Sequence, residues 1–422
     1  MLRKLKNLFY FPVAHYFRFF AKIRLLLWKP RIIVVTGSSG KTTLLHLLEA
    51  QLGNHARYSH HANSAYGIPF DILGLMRKDL TISEWPSLIL SAPFKIFNTP
   101  YKEKLYIVEA DCDRPGEGSF LGTLLKPDVT IWLSVGRTHS MNFDTSVQSK
   151  SFTSTYDAIA HEFGYFLEHT SSLVVVNGDS RFITKQLVRT EASAELITKN
   201  KLEKYSVSRN YTEFRIHGSL YKIPAVLPEE TFYSIEAANV LVKYLKMNIN
   251  PSFSNLYLPP GRSSVFKGIK NTTIIDSSYN TSFDGMASMM KLLKVYPGDK
   301  KWAVVGDILE QGTVEQEEHE KLAATIALTK PNKVVLIGPR VSQYTYPKLK
   351  LLMGKDRIEK FTTPKEALLY LENTIEGGET ILFKGARFLE GIIEHLLEDR
   401  SDMKKLCRRE KIWHIRREQW GL

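Results

Sequence analysis

The sequence predicts an α/β protein built on mostly parallel sheets, and three observations carry that prediction. β-Branched apolar runs recur along the 422 residues, each ends in a polar or glycine-rich turn, and helical spacing fills several of the intervals. The runs place strands at 32–36, 105–110, 130–135, 173–176, 273–276, 302–305, 334–337 and 380–383. The helical patterns are "TTLLHLLEAQLG", "TFYSIEAANVLVKYLKM" and "EEHEKLAATIALTK". "LYLPPGRSS" interrupts the alternation at Pro259, Pro260 and Gly261, so the chain divides into residues 1–30, an α/β domain over 31–258 and a second over 259–422.

Composition sets the class. With 43% hydrophobic and 24% charged residues, the chain has the balance of a globular protein able to bury a sizeable core. Cys112 and Cys407 lie too far apart for a disulfide framework or a metal-ligand spacing, which suits a reducing cytoplasm. The net charge of +13 resides at the ends: residues 1–31 carry eight bases and no acid, and residues 400–422 carry eight bases against three acids. A nucleic-acid reader would spread its bases over a folded face and offer a recognition element, so no specific nucleic acid is expected.

The first thirty residues mix bases with Phe9, Tyr10, Phe11, Tyr16, Phe17, Phe19, Phe20 and Trp28. No uncharged apolar run there approaches the roughly 20 residues that span a bilayer. Two readings remain: a helix packing its aromatic face on the neighbouring domain, or an amphipathic segment lying on an anionic membrane surface.

Chemistry begins at "RIIVVTGSSGKTT", residues 31–43. A strand runs into a glycine- and hydroxyl-rich turn, then a helix, so the N–H groups of Ser38 to Lys41 can face an anion at the positive helix end. Lys41 would neutralise β/γ oxygens, and Thr42 would offer its hydroxyl to Mg²⁺. The usual phosphate loop carries glycine where Val35 stands, so this loop is short by that rule. "VEADCDRPGEG" puts Glu109 at a strand's carboxyl end, and "DVTIWLSVGRTHSMNF" puts His139 just beyond the next strand, the edge where open α/β sheets bind ligands.

The ordered blocks "VTGSSGKTT", "ANSAYGIPFDILGL", "VEADCDRPGEGSFLGTLLKPDVTIWLSVGRTHSMNF", "VVVNGDS", "LPPGRSSVFKGIKNTTIIDSSYN", "VVGDILEQG" and "ILFKGAR" resemble the Mur ligases over most of residues 31–390. The short loop is that family's usual form. The resemblance implies a phosphate-loop central ATPase domain and a Rossmann-like C-terminal α/β domain. It implies a cytoplasmic, ATP- and Mg²⁺-dependent ligase that activates a carboxylate as an acyl phosphate and joins it to an amine. The acceptor would be a cell-wall precursor or related acidic peptide, and the amine an amino acid or dipeptide. Gly37, Ser38, Ser39, Gly40, Lys41, Thr42, Thr43, Ser234 and Asp276 would bind nucleotide. Thr42, Glu109 and His139 would hold metal, and Lys41, His139 and Arg262 would act on the transferring phosphoryl group.

Four departures from the family pattern stand out. Only thirty basic, aromatic residues precede the first strand, where the family carries a UDP-sugar domain. His161 or Phe163 occupies the place of a carbamylated lysine. Ser234 replaces an adenine-contacting asparagine, and Ser277 replaces the second aspartate beside Asp276. These changes also suit a degenerate relative that binds nucleotide or membrane without ligase activity.

Overall fold

The structure, a computed structural model, describes residues 2–60, 62–77, 82–99 and 101–422. The side chains of residues 2–8, which include Arg3, Lys4 and Lys6, lie outside the described ones. Two compact units form. The first comprises Met1–Val135, Thr145–Lys199 and Tyr233–Ile249, and the second Gly136–Asp144, Asn200–Phe232 and Asn250–Leu422.

The first unit is built on a six-stranded sheet. Its strands are β1 (Arg31–Thr36), β2 (Arg57–Tyr58), β3 (Leu105–Ala110), β4 (Val129–Trp132), β5 (Leu173–Asn177) and β6 (Ser193–Ile197). They run parallel in the order β2-β3-β1-β4-β5-β6. Strands covered on both faces read as continuous apolar runs, and β1 and β5 do so in sequence and in burial. From β1 the chain runs out to β2, comes back to β3 beside β1 and then crosses to β4 on the other side, so strand order reverses at β1. A crevice at such a reversal is where open α/β sheets bind ligands. β4 ends at Trp132, three residues short of expectation, because Ser134 turns its carbonyl to the N–H of Ser38 and to the Trp132 indole.

Within the first thirty residues, Leu2–Trp28 form the helix α1, continuous through Pro12. Ala14, Phe17, Ala21, Arg24 and Trp28 recur at helical spacing and are buried. The helix packs on α3 (Gly67–Leu73) and α4 (Trp85–Lys95), α2 (Lys41–Leu52) being the helix after the phosphate loop. Burying Phe17 and Trp28 contributes on the order of 1.5–3 kcal/mol each. Arg24 is tolerated inside because its guanidinium donates to the carbonyls of Ile96, Asn98 and Thr99, and Trp28 donates to the Glu103 carbonyl at 2.7 Å. The packing alternative therefore holds for one face of α1.

In the second unit, β7 (Leu202–Val207), β8 (Thr212–Ile216) and β9 (Ser219–Ile223) make a small antiparallel sheet. A six-stranded sheet follows, from β10 (Ser264–Gly268), β11 (Thr272–Ser277), β12 (Lys301–Gly306), β13 (Lys333–Ile337), β14 (Ile358–Phe361) and β15 (Thr380–Lys384). Its order is β10-β11-β15-β12-β13-β14, with only β10 antiparallel. Alternate residues serve opposite faces: Ile275, Leu382, Ala303 and Leu336 join one core with Met286, Leu293 and Leu322, while Ile274, Phe383, Val304 and Val335 join another with Leu371, Ile392 and Leu396. Both faces are covered by helices, the Rossmann-like arrangement expected of the C-terminal part.

Candidate active site

The carboxyl end of β1 assembles the first cluster. Thr36 pairs with Ala110 and with Trp132, so the loop that follows leaves at the level of Glu109 and of the β4 terminus. Gly37 has φ 126° and Gly40 φ 86°, conformations that side chains rarely adopt. A Cβ on Gly37 would meet the Ser134 backbone at 2.9 Å, so the close approach of loop to β4 requires glycine there. Ser38 donates its N–H to the Ser134 carbonyl at 3.1 Å and Ser39 its N–H to Ser134 Oγ at 2.8 Å, which pins the loop. The helix α2 then begins at Lys41, with Thr42 and Thr43 in its first turn.

Lys41 is buried; its ammonium donates to the Gly37 carbonyl at 2.5 Å and pairs with Asp111 at 2.7 Å. Burial alone would depress its pKa, but the carboxylates of Asp111 and Glu109 outweigh that and hold it above the ordinary lysine value. Thr42 donates its hydroxyl to Glu109 at 2.9 Å, and Glu109 is itself positioned by its own N–H donating to Ser59 Oγ at 2.9 Å. A hydroxyl and a carboxylate side by side are the hard oxygen donors that Mg²⁺ takes beside phosphate and water, so Thr42 and Glu109 fit that ion. Ser234, on the helix Thr231–Tyr244, is buried with its Oγ 3.6 Å from where a Gly40 Cβ would stand, so it lies against the loop.

His139 belongs to the second unit. It takes a left-handed conformation, its Nδ1 contacts the Glu310 carboxylate, and the flanking segment is fixed by Arg137 on Glu317 and Glu318 at 2.9 Å. In the same unit, Asp276 is the penultimate residue of β11, fully buried, with one carboxylate oxygen accepting the Ser278 N–H at 2.9 Å and burial pushing its pKa up. Lys384 ends β15 one register position further, where it pairs with Ser277. Its ammonium donates to the Asn280 carbonyl at 2.6 Å, yet burial, with Arg262 and Arg408 nearby, pulls its pKa down to about 7. Arg262 follows Gly261 (φ 74°) and lies over the Tyr279 ring at 4.8 Å.

Sequence reasoning missed Asp111, Ser134 and Lys384 as members of these clusters. Asp111 was within reach, two residues past Glu109 and so on the same face of the chain. The other two depend on which strands become neighbours. At the carbamylated-lysine place, Phe163 is buried against Trp132 at 5.8 Å, and His161 has its pKa lowered by burial and by Arg189. Glu162, between them, accepts the N–H groups of Gly116 and Gly118 at 3.0 and 2.9 Å.

Residues 35–231 match the Mur ligase middle domain, and residues 261–387 match the glutamate ligase domain of Mur ligases. The chain belongs to the Mur ligase family. The family's activity is ATP-dependent amide-bond formation in peptidoglycan precursor synthesis. The chain is 25% identical over 384 residues to the UDP-N-acetylmuramoyl-tripeptide–D-alanyl-D-alanine ligase of Bacillus subtilis, covering 87% of this chain and 76% of that protein. It is 24% identical over 401 residues to the ligase of the same name from Buchnera aphidicola, covering 90% and 78%. Its fold is similar to that of the MurF ligase from Thermotoga maritima in complex with ADP, with a TM-score of 0.72 at 22% identity over 93% of this chain and 84% of the other.

Proposed function

We propose that this Mur ligase uses ATP and Mg²⁺ to activate an acceptor carboxylate as an acyl phosphate and couples it to an amine. The acceptor would be a cell-wall precursor or related acidic peptide, and the amine an amino acid or dipeptide; the relatives named above act on a UDP-muramoyl tripeptide and D-alanyl-D-alanine. The Lys41 pair with Asp111 beside Thr42 and Glu109 carries this reading. Gly37 to Gly40 cradle phosphate, Lys41 and Thr43 add cation and hydroxyl at the helix start, and Ser234 flanks the nucleotide end. Thr42 and Glu109 would hold Mg²⁺, which when bound neutralises phosphate charge. His139, Arg262 and Asp276 are assigned to the same reaction on the family pattern, with residues 31–258 as the ATP-binding part and 259–422 as the C-terminal part. Incubation with ATP, Mg²⁺ and a panel of muropeptide acceptors and amines should release phosphate only when both substrates are present. Failure of every acceptor, with Lys41→Ala indistinguishable from wild type, favours the degenerate nucleotide-binding alternative.

A second observation bears on location. Phe19, Leu26 and Leu27 are exposed on α1 beside Lys22, and Leu90, Phe94 and Phe97 are exposed on α4 and just beyond it. Residues 1–31 hold no acid, and Tyr16 and Arg24 of α1 donate to the carbonyls of Ile89 and Ile96, which fastens α1 to α4 and the turn after it. Among the described residues, no helix is long and apolar enough to cross a membrane. We infer that this face rests on an anionic membrane surface, at the cytoplasmic side. Co-sedimentation with phosphatidylglycerol vesicles should fall sharply for a Phe94→Ser/Phe97→Ser variant; unchanged sedimentation would remove the inference.

A further inference from the structure

One cluster of chemistry-bearing side chains in the first unit takes no part in the reaction above. His46 and Glu49 lie one turn apart on α2, and His60 stands two residues beyond β2. His46 Nδ1 is 3.3 Å from one Glu49 oxygen and His60 Nε2 is 3.1 Å from the other, and the three donor atoms all lie within 4.8 Å of one another. The two imidazoles overlap with centroids 4.9 Å apart and planes 26° from parallel, so both nitrogens address the same carboxylate.

Donors bonded at about 2.0–2.1 Å to one tetrahedral ion stand roughly 3.3 Å from each other. The two nitrogen–carboxylate spacings, 3.3 Å to one Glu49 oxygen and 3.1 Å to the other, are close to that length. Two imidazole nitrogens and a carboxylate are a donor set for borderline divalent ions, whereas Mg²⁺ prefers an all-oxygen shell. We propose that His46, Glu49 and His60 bind a divalent transition ion, zinc foremost, with a fourth position open to water or another ligand.

The site is built on framework rather than loose chain. Lys41 and Thr42 open the helix that carries two of the donors, and Ser59, the neighbour of His60, holds the N–H of Glu109. An ion here ties the far side of α2 to the β2 edge and so braces the segment that positions Glu109. The imidazoles are half-buried to buried, with side-chain exposures of 8% for His46 and 30% for His60, and Glu49 is open at 40%, so the cluster meets solvent through Glu49 and His60.

The test uses the full chain stripped with chelator, without nucleotide, and titrated with ZnCl₂ by calorimetry and with CoCl₂ by visible spectroscopy. One ion per chain should bind, Co²⁺ should show the intense visible bands of four-coordinate geometry, and His46→Ala and His60→Gln should each weaken binding at least tenfold. Thr42→Ala should leave zinc affinity within twofold, which separates this site from the oxygen donors beside the phosphate loop. His60 lies outside helix and strand, so its variant keeps a folded control by circular dichroism. Stoichiometric zinc binding unchanged in the His46→Ala/His60→Gln variant would overturn the proposal. Absence of one-to-one binding by the folded wild type would overturn it equally.

Discussion

Two lysines, each at an end of a core strand or of the loop that follows one, have been driven in opposite directions. Lys41 is buried against Asp111 and Glu109, and the two carboxylates keep it cationic in spite of its burial. Lys384 is equally buried, but its charged neighbours include Arg262 and Arg408, and its pKa falls to about 7. Burial costs both the same kind of desolvation; the sign of the neighbouring charge decides the outcome.

The comparison can be broken at several points. The largest expected effect is on activity: Lys41→Ala should reduce substrate-dependent phosphate release by about 10²–10³, the usual loss when one preorganised charge donor is removed. A loss below tenfold would mean that the acids around Lys41 serve folding instead. Next is Asp307, fully buried immediately after β12, which accepts the Arg387 guanidinium at 2.7 and 2.9 Å and the N–H groups of Arg340 and Val341 at 3.0 Å. Asp307→Ala should cost about 3 kcal/mol in denaturant unfolding, because it strands a paired guanidinium and two N–H groups.

The pH dependence of stability sharpens the contrast between the lysines. Lys384 has a folded pKa below its unfolded value, so the unfolded chain binds more protons between about pH 7 and 10.5, and stability should rise with pH across that window. Lys41 has a raised folded pKa, so its contribution is intact below 10.5 and is lost only as pH climbs past that value. Thermal unfolding of Lys384→Met should therefore show a flatter rise than wild type from pH 7 to 9.5, and identical slopes would remove the asymmetry.

The smallest effect concerns α1. Tyr10 donates to the carboxylate of Glu117, whose pKa burial and Asp113 push up to about 7. Glu117 thus opposes folding progressively as pH rises from 4.5 through about 7, and the Tyr10 hydroxyl relieves part of that cost. Tyr10→Phe should lose about 1 kcal/mol at pH 7.5 and less at pH 5, measured by urea unfolding. An equal loss at both pH values would place the effect in ring packing on Tyr66 rather than in the hydrogen bond.

Much of this architecture was legible. All eight expected strands form because a strand buried on both faces of a parallel sheet must be apolar throughout, and β1, β5, β12 and β13 carry that signature. The elements that escaped lie at edges or outside the parallel sheets. Four of the five residues of β6 are exposed, β2 is two residues long, and β7 to β9 alternate polar and apolar residues on a separate antiparallel sheet. Such segments bury too little apolar surface to announce themselves.

The sequence by itself determined the phosphate loop, the family and the placing of Lys41, Thr42 and Glu109 at a helix start and a strand end, because glycines, a helix start and a strand end are local demands met by contiguous residues. Tertiary structure alone decided that Asp111 is the partner of Lys41, that Ser134 clamps the loop, that Lys384 shares its surroundings with two arginines, and that His46, Glu49 and His60 converge. Those outcomes depend on which strands become neighbours and on how strongly a dry interior amplifies the charges placed in it, and neither quantity is written in the spacing of residues along the chain.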